Sequence, residues 1–307
     1  MSELVLVTGG AGFIGSHVCE TLTAAGKRVR VLDNLASGKR ENLAHLPQVE
    51  LVAGSITSDA DLAAALEGVA AVVHLAAEPS VAKSMTEPVA THAVNYTGTL
   101  QLLEAMRVAG ATRIIYASSA ATYTPNSAEP HRETDYPDPS SPYGIDKLAG
   151  EFALRAYARA HGVVPTALRF FNIYGERQDP SSAYSGVISI FVDRIKAGRG
   201  ITIFGDGSQR RDFVYVRDLA AIIASLVDRT DAPDLMNVGT GHSVTLRELV
   251  ATLETIFGVR AQVTYAEPRL GDIHVSRADN SRLRTIWPGA FTPLETGLVR
   301  LVASLEA

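Results

Sequence analysis

A glycine-rich turn between an apolar strand and a helix, close to the start of the chain, restricts the fold more than any other feature. Residues 4–7 are β-favouring and apolar, and residues 8–17 follow with Gly9, Gly12 and Gly15 ahead of a helical pattern. These glycines allow a tight turn, a close approach to a pyrophosphate and close helix packing, while the helix N-terminus faces the phosphate charge. The spacing differs by one residue from G-x-G-x-x-G, but the strand and helix around it predict a dinucleotide site.

Strands and helices alternate after this turn. The predicted strands are residues 28–32, 49–53, 71–77 and 113–117, and the predicted helices between them are residues 59–67 and 89–109. This alternation is typical of a parallel sheet covered by helices on both faces. We therefore expect an α/β fold: a Rossmann-like doubly wound parallel sheet with a smaller, discontinuous C-terminal α/β substrate domain.

An acidic residue ends the second predicted strand. Asp33 lies about 20 residues after the glycine turn, where a carboxylate can accept hydrogen bonds from an adenosine ribose. Its charge would repel a 2′-phosphate, which favours NAD over NADP. Lys39 and Arg40 could hold a phosphate, but they could equally belong to a solvated loop. Near the fourth strand, His74 and, on the following helix, Asn95 are expected to be structural.

A tyrosine and a lysine lie four residues apart where Pro142 is expected to open a helix, so Tyr143 and Lys147 should project from one face. An ammonium ~4 Å from a phenol, at an effective dielectric near 20, is worth about 4 kcal/mol, enough to lower the phenol pKa by roughly three. Such pairs also occur by chance on exposed helices. Ser118 and Ser119, at the end of the fifth strand, reach the same sheet edge and favour a catalytic role.

Composition limits the class of protein. The chain has 307 residues, a formal net charge of −5 and one cysteine, Cys19. We expect one large or two modest domains, no nucleic-acid partner, no internal disulfide and no thiolate metal site. The start has no signal-peptide pattern and no apolar run could span a membrane, so we expect a cytoplasmic protein without a metal.

A domain change is predicted where the strand over residues 166–171 runs into a stretch rich in Gly, Pro and Asn, residues 172–186. The pattern over residues 213–226 reads as a strand and helix that return to the first domain. The predicted cofactor domain is residues 1–170 plus about 213–234, and the predicted substrate domain is residues 171–212 and 235–307.

Together these motifs resemble the extended short-chain dehydrogenase/reductase family, and more narrowly its nucleotide-sugar epimerases of the UDP-galactose 4-epimerase type. The resemblance rests on residues 8–17, Asp33, the Ser118-Ser119 strand end, Tyr143-x-x-x-Lys147 and residues 169–175, and it covers about residues 3–295. It implies an NAD-dependent 4-epimerase acting on UDP-glucose and UDP-galactose through a transient 4-keto sugar. It also implies a homodimer formed through the helices at 89–109 and 142–161, although their apolar faces could equally pack within one chain.

The resemblance also implies roles for individual residues. Ser119, Tyr143 and Lys147 would be catalytic. The cofactor would contact Gly9, Gly12, Phe13, Ile14, Gly15, Asp33, Asn34, Ser55, Ile56, Leu75, Ala76, Ala77, Tyr143, Lys147 and Phe170. The substrate would contact Ser119, Asn172, Val187, Phe204, Arg211, Arg269, Asp272 and Ser276.

Several positions depart from the family pattern. Ser55 replaces the Asp that contacts adenine, Thr122 and Thr124 replace Val and Gly, and Glu176 replaces Pro. At position 276, the family places either a bulky Tyr or a small residue that admits a 2-acetamido group. The small Ser276 therefore predicts tolerance of UDP-GlcNAc and UDP-GalNAc.

Other functions remain open at this point. A nucleotide-sugar dehydratase or decarboxylase needs an additional acid or base, which Ala120 and Ala121 cannot supply. A UDP-uronate 4-epimerase would need a cation for the carboxylate, and Arg177 or Arg210 could serve; Arg177 belongs to an expected sugar-pocket loop. A non-catalytic NAD-binding protein would have no need for all three catalytic residues.

Overall fold

A seven-stranded parallel sheet forms the centre of this computed structural model, which describes residues 3–124, 129–180, 186–268 and 273–305. In spatial order its strands are Glu50–Ala53 (β3), Arg28–Asp33 (β2), Leu4–Thr8 (β1), Val69–His74 (β4), Arg113–Ser119 (β5), Val164–Phe170 (β6) and Leu235–Val238 (β11). Every neighbouring pair is parallel. The order reverses at β1, as in a doubly wound fold, which confirms the predicted class.

Helices cover both faces of this sheet. They are Phe13–Ala24 (α1), Asp59–Leu66 (α2), Val81–Thr86 (α3), Pro88–His92 (α4), Gly98–Ala109 (α5), Pro142–His161 (α6) and Val216–Leu226 (α8). Apolar residues of α1 and α8 pack on one face, and those of α2, α5 and α6 pack on the other. Two apolar layers therefore bury the sheet, which leaves its carboxyl edge for polar groups.

Helix α6 begins where the sequence predicted. Ser141 Oγ accepts a hydrogen bond from the Gly144 amide at 3.1 Å, and Pro142 occupies the first helical position, which its fixed φ suits. Gly162, in the left-handed conformation with φ 69°, ends the helix. Tyr143 and Lys147 consequently lie one turn apart at the start of a helix that packs on β5.

The predicted single helix over 89–109 is wrong in one detail. Between α4 and α5, residues Ala93–Thr97 form a π-helical turn. Asn95 in this turn accepts a hydrogen bond from the Glu78 amide at 2.7 Å and donates to the Glu78 carbonyl at 3.0 Å. The widened turn lets Asn95 reach the loop after β4, which confirms its expected structural role.

Short sheets make up the second half of the molecule. Asn172–Tyr174 (β7) pairs with Phe213–Tyr215 (β10), Ile201–Phe204 (β8) pairs with Val263–Ala266 (β13), and Arg210–Arg211 (β9) lies between Val244–Thr245 (β12) and Val275–Ser276 (β14). Their helices are Val187–Lys196 (α7), Leu246–Phe257 (α9), Ser281–Arg284 (α10) and Leu294–Ser304 (α11). Apolar side chains of these elements share a separate core.

The chain passes between the two halves more than once. Helix α8 packs against α1 of the large sheet, although β10, directly before it, pairs with β7 outside that sheet. Strand β11, which falls in the predicted substrate segment 235–307, extends the large sheet beside β6. No helix in the described ranges is both long and apolar enough to cross a bilayer.

Candidate active site

Three polar side chains meet at the carboxyl edge of the sheet. Ser119 ends β5, and its hydroxyl is near enough to the phenol of Tyr143 on α6 to lower the pKa of that phenol. Lys147 Nζ donates to the Ala117 carbonyl at 2.8 Å and lies 5.8 Å from the centre of the Tyr143 ring. The structure thus brings together the three residues that were predicted to be catalytic.

The expected lowering of the Tyr143 pKa by Lys147 is wrong. Burial of the phenol raises the pKa of Tyr143 above its ordinary value, and the nearby Ser119 hydroxyl offsets part of that rise. The Lys147 ammonium points at a backbone carbonyl and lies 5.1 Å from the centre of the Tyr116 ring, closer than to the ring of Tyr143. The folded protein therefore holds Tyr143 as a neutral phenol at neutral pH.

The glycine turn is too closely packed for side chains. Gly9 has φ 70°, and a Cβ there would lie 2.8 Å from the Ala76 amide nitrogen. A Cβ on Gly15 would lie 2.1 Å from the Gly9 carbonyl oxygen. No described side chain caps α1 at Gly12, and its first turn carries no acidic residue. The backbone amides of Phe13 and Ile14, at the helix N-terminus, therefore suit the pyrophosphate of a dinucleotide.

The carboxylate at the end of β2 suits a ribose. Asp33 is buried, and it accepts hydrogen bonds from the Ala11 amide at 2.9 Å and the Leu35 amide at 2.8 Å. A carboxylate has about four acceptor positions, so capacity remains for ribose hydroxyls. Lys39 is paired with Asp179 at 2.7 Å, which leaves its charge less available to a 2′-phosphate. The residues present fit NAD better than NADP.

A hydrogen-bond chain fixes the backbone that faces the glycine turn. The Ala76 amide donates to Thr8 Oγ at 3.2 Å, and Thr8 Oγ lies 2.7 Å from His74 Nδ1. On the other side of the ring, His74 Nε2 lies 3.0 Å from Thr99 Oγ, which itself donates to the Asn95 carbonyl at 2.6 Å. Because the Thr99 hydroxyl donates its proton to the Asn95 carbonyl, it accepts a hydrogen bond from His74 Nε2. His74 is therefore the neutral Nε2–H tautomer. His74 has the structural role expected of it.

The remaining residues predicted to contact the cofactor differ in their burial and in their hydrogen-bond partners. Ser55 Oγ lies 2.8 Å from Thr57 Oγ, and the Ser55 amide donates to Asp61 at 2.9 Å. The side chains of Ile56 and Phe170 are buried in the core, while Asn34 is exposed and accepts a hydrogen bond from the Ala36 amide. The partly buried residues Leu75, Ala76 and Ala77 follow β4 directly at the sheet edge.

The substrate-side predictions converge on the segment around Asp212. Asn172 donates to the Asp212 carbonyl through its backbone amide and its side chain, at 3.1 Å in each case. Arg211 lies opposite Ser276 in the register of β9 and β14, and it donates to the Ile273 carbonyl at 2.6 Å. The structure thus brings Asn172, Arg211 and Ser276 together.

Other predicted substrate residues lie further along the chain. Phe204 ends β8, beside a cavity of about 580 Å³ that begins at Gly205, and Val187 begins α7. Arg269 and Asp272 lie outside the described residues.

Comparisons with known proteins place this geometry in a family. The model of the NAD dependent epimerase/dehydratase family matches residues 5–239. A putative UDP-glucose 4-epimerase of Methanocaldococcus jannaschii is 37% identical over 301 residues, which is 97% of this chain and 97% of that protein. The chain belongs to the NAD-dependent epimerase/dehydratase family.

Solved structures of the family agree in fold. UDP-glucose 4-epimerase of Thermotoga maritima, solved with UDP-glucose, has a TM-score of 0.94 and 38% identity over 99% of this chain and 98% of that one. UDP-glucose 4-epimerase of Thermus thermophilus, solved with NAD, has a TM-score of 0.90 and 36% identity over 99% of each chain. The likeness therefore covers both halves of the site.

One expectation drawn from the epimerase/dehydratase family is wrong here. Arg177, placed in a sugar-pocket loop, instead donates to Ser16 Oγ at 3.2 Å and to Glu20 at 2.9 Å on α1. It adopts φ 68°, which turns its side chain toward the cofactor helix. Glu176, in place of the family's Pro, accepts a hydrogen bond from Tyr215 at 2.5 Å. The loop therefore binds to the cofactor half because its charged side chains find partners there.

Sequence reasoning missed a buried polar group next to Ser119, the serine predicted to be catalytic. Glu151 forms a bidentate pair with Arg169, at 2.9 and 2.8 Å, and accepts a hydrogen bond from Ser118 at 2.5 Å. The Arg169 guanidinium lies 4.6 Å from the centre of the Tyr123 ring. The only sequence signal was a Glu eight residues after Tyr143, which no local pattern connects to Arg169.

Asp212 was also missed. It is fully buried, and its carboxylate accepts hydrogen bonds from the Thr240 amide at 2.8 Å, the Gly241 amide at 3.0 Å and the Ala278 amide at 3.2 Å. Burial raises the pKa of Asp212. This carboxylate joins distant segments of the substrate side, which sequence spacing alone cannot indicate.

Proposed function

We propose that this chain catalyses the NAD-dependent 4-epimerisation of UDP-glucose and UDP-galactose, and that it also accepts UDP-GlcNAc and UDP-GalNAc. The observation that carries the proposal is the meeting of Ser119, Tyr143 and Lys147 beside the glycine turn and Ala76. Full-length similarity to UDP-glucose 4-epimerases supports the same reaction.

The side chains divide the proton chemistry between them. Tyr143 takes the proton from the sugar O4 and later returns it, while Ser119, whose hydroxyl favours the Tyr143 phenolate, orients that oxygen. NAD, held by the glycine turn and Asp33, would supply the hydride acceptor for C4 and the hydride donor for the 4-keto sugar, and its oxidised form would add a positive charge. That charge would favour the phenolate against the burial that raises the Tyr143 pKa.

Among the described residues, none of those considered for the alternative reactions is in the right place. Ala120 and Ala121, which follow Ser119 in the 3₁₀ turn Ala120–Thr122, carry no acid or base for elimination or decarboxylation. The two cations considered for a uronate are committed elsewhere: Arg177 contacts α1, and Arg210 donates to the Ser243 carbonyl at 2.5 Å. A hexose or N-acetylhexosamine therefore suits the site better than a uronate.

The test is an incubation of the purified protein with UDP-galactose and no added cofactor. We expect UDP-glucose to appear, because a dinucleotide regenerated in each cycle stays bound. Proton NMR of the anomeric signals reports both sugars in one sample. Failure to convert either UDP-galactose or UDP-GalNAc, with NAD also added, would overturn the proposal.

We also propose a division into domains and a homodimer. The cofactor domain is residues 1–170 with about 216–234 and strand β11, and the remaining residues form the substrate domain. Four apolar side chains on α3, α4 and α6 are more than half exposed: Met85, Val89, Ile145 and Phe152. A second copy would cover them, and light scattering of wild type and Phe152→Glu tests this.

The proposed compartment is the cytoplasm, with which the unpaired, buried Cys19 is consistent.

A further inference from the structure

A buried carboxylate lies on α6 between the two catalytic residues of that helix. Asp146 is only 2% exposed, and its Oδ1 lies 2.6 Å from Nδ1 of His92 on α4. Its other oxygen is buried and has no hydrogen-bond partner among the described residues. Burying a carboxylate with one oxygen unsatisfied is costly, so its retention calls for an explanation.

The neighbouring ammonium lacks a direct counter-ion. Lys147 is 3% exposed, and in the described part of the chain Nζ forms no ion pair and donates to the neutral carbonyl of Ala117. Burial lowers the pKa of Lys147 to about 8, and the negative charge of Asp146 is what acts against that fall. A lysine whose pKa lies this close to neutral pH can change its protonation state when a nearby charge is removed.

The other ionisable groups around this pair contribute little compensating charge. Glu151 on α6 is paired with Arg169, and Glu78 before α3 is paired with Lys83 at 2.7 Å. Burial raises the pKa of Tyr116 on β5 well above its ordinary value and lowers that of His74 on β4 to about 3, so both stay neutral.

Tyr143 on α6 and His92 on α4 also lie beside Asp146 and Lys147. The phenol of Tyr143 is neutral as well, and the His92 ring packs on Tyr96 of the π-helical turn, 5.3 Å between ring centres. This leaves Asp146 as the carboxylate that can balance Lys147.

We propose that Asp146 is a positioning residue of the reaction: held by His92, its carboxylate keeps the buried Lys147 in the ammonium form. The role of Asp146 in catalysis rests on the proposed epimerase function, whereas the charge interaction between Asp146 and Lys147 does not. It assigns a role to the residue directly before the catalytic lysine, and it links that lysine to α4 through His92, whose side chain is 53% exposed.

The charge state of Lys147 can be measured directly. The chain has five lysines, Lys27, Lys39, Lys83, Lys147 and Lys196, so protein made with ¹³C-labelled lysine gives few Cε signals, and Lys147→Arg identifies the one of interest. In wild type that signal should titrate near pH 8. In Asp146→Asn we expect the midpoint to fall by about one pH unit or more, from the loss of one nearby charge.

The control is Glu104→Gln, which removes an exposed carboxylate on α5 and should leave the Lys147 midpoint unchanged. In the same variants, the alkaline limb of kcat/KM should move to lower pH in Asp146→Asn only. If Asp146→Asn does not fold, Asp146→Ser removes the same charge with a smaller side chain.

The outcomes separate the inference from the function it rests on. A Lys147 midpoint that stays at the wild-type pH in a folded, less stable Asp146 variant would show that Asp146 merely joins α4 to α6, and would overturn the inference. A wild type that converts no UDP-sugar while its Lys147 midpoint still shifts on Asp146→Asn would overturn the proposed function and leave the charge coupling established.

Discussion

The two halves of the site hold their polar side chains in different ways. Ser119 and Lys147 lie on β5 and α6, elements of 7 and 20 residues, and a buried layer that includes Glu151 stands behind them. Arg211 and Ser276 lie on strands of 2 residues each. Long buried elements hold reacting groups in fixed positions, whereas short strands leave substrate selection to the segments around them.

This comparison explains where the chemistry and the specificity reside. At the catalytic edge, the polar side chains and their partners lie on β5, β6 and the long helix α6. On the substrate side, Asp212 forms hydrogen bonds to the separate segments at Asn172, Thr240 and Ala278. Changes at the catalytic edge should therefore affect rate or stability strongly, and changes on the substrate side should mainly alter which sugar is preferred.

The largest effect is expected at the catalytic edge itself. Tyr143→Phe removes the proton carrier and should lower kcat about 10³-fold or more, within the range of general acid–base catalysis. Bound NAD, measured after denaturation, should remain at the wild-type level. The matched control is Tyr136→Phe, since Tyr136 is 84% exposed, and it should keep full activity. Full activity of Tyr143→Phe would contradict the mechanism.

The buried pair behind the serine should matter nearly as much for stability. Arg169→Met leaves Glu151 as an uncompensated buried charge and should cost about 3–5 kcal/mol of unfolding free energy. Arg155→Met breaks an exposed pair with Asp234, 3.1 Å apart, and should cost less than about 1 kcal/mol. Urea unfolding measures both, and equal losses would show that burial does not set the difference.

His74 on β4, which bonds to Thr8 on β1 and Thr99 on α5, should make the free energy of unfolding depend on pH. Burial lowers the pKa of His74 to about 3, so below its ordinary value of 6.5 only the unfolded chain binds that proton. The stabilisation is full above pH 6.5 and is lost as pH falls, by about 2 kcal/mol between pH 6.5 and 5.

Comparison with a variant isolates this contribution. Over that window, wild type should lose about 2 kcal/mol more than His74→Asn, whereas the exposed control His242→Asn should follow wild type. Parallel stability curves for wild type and His74→Asn would refute the assignment.

The smallest effect is expected on the substrate side. Ser276→Tyr fills the space predicted to admit a 2-acetamido group, and it should lower the kcat/KM ratio of UDP-GalNAc to UDP-galactose about tenfold or more, an ordinary penalty for overfilling a pocket. Activity on UDP-galactose should stay within a few-fold of wild type. Because Ser276 is 6% exposed, Ser276→Cys serves as the small control. An unchanged ratio would remove Ser276 from sugar selection.

Local patterns were reliable wherever a motif and its element are contiguous. The glycine turn, Asp33 at the end of β2, and the Pro142-Tyr143 helix start were each predicted from adjacent residues, because caps, turns and strand ends depend on near neighbours. The π-helical turn at Asn95 was missed, because it is associated with a hydrogen bond between Asn95 and the Glu78 backbone that no local pattern indicates. The direction of Arg177 was missed for the same reason, since its partners lie on α1.

The sequence by itself determined the fold class, the dinucleotide turn and the three side chains predicted to be catalytic, since each depends on spacing along the chain. The tertiary structure alone decided the state of those side chains. Burial raises the pKa of Tyr143 and lowers that of Lys147, and Asp146 opposes the second effect. Desolvation and Coulomb interactions depend on distances through the folded interior, and no spacing rule along a chain encodes those distances.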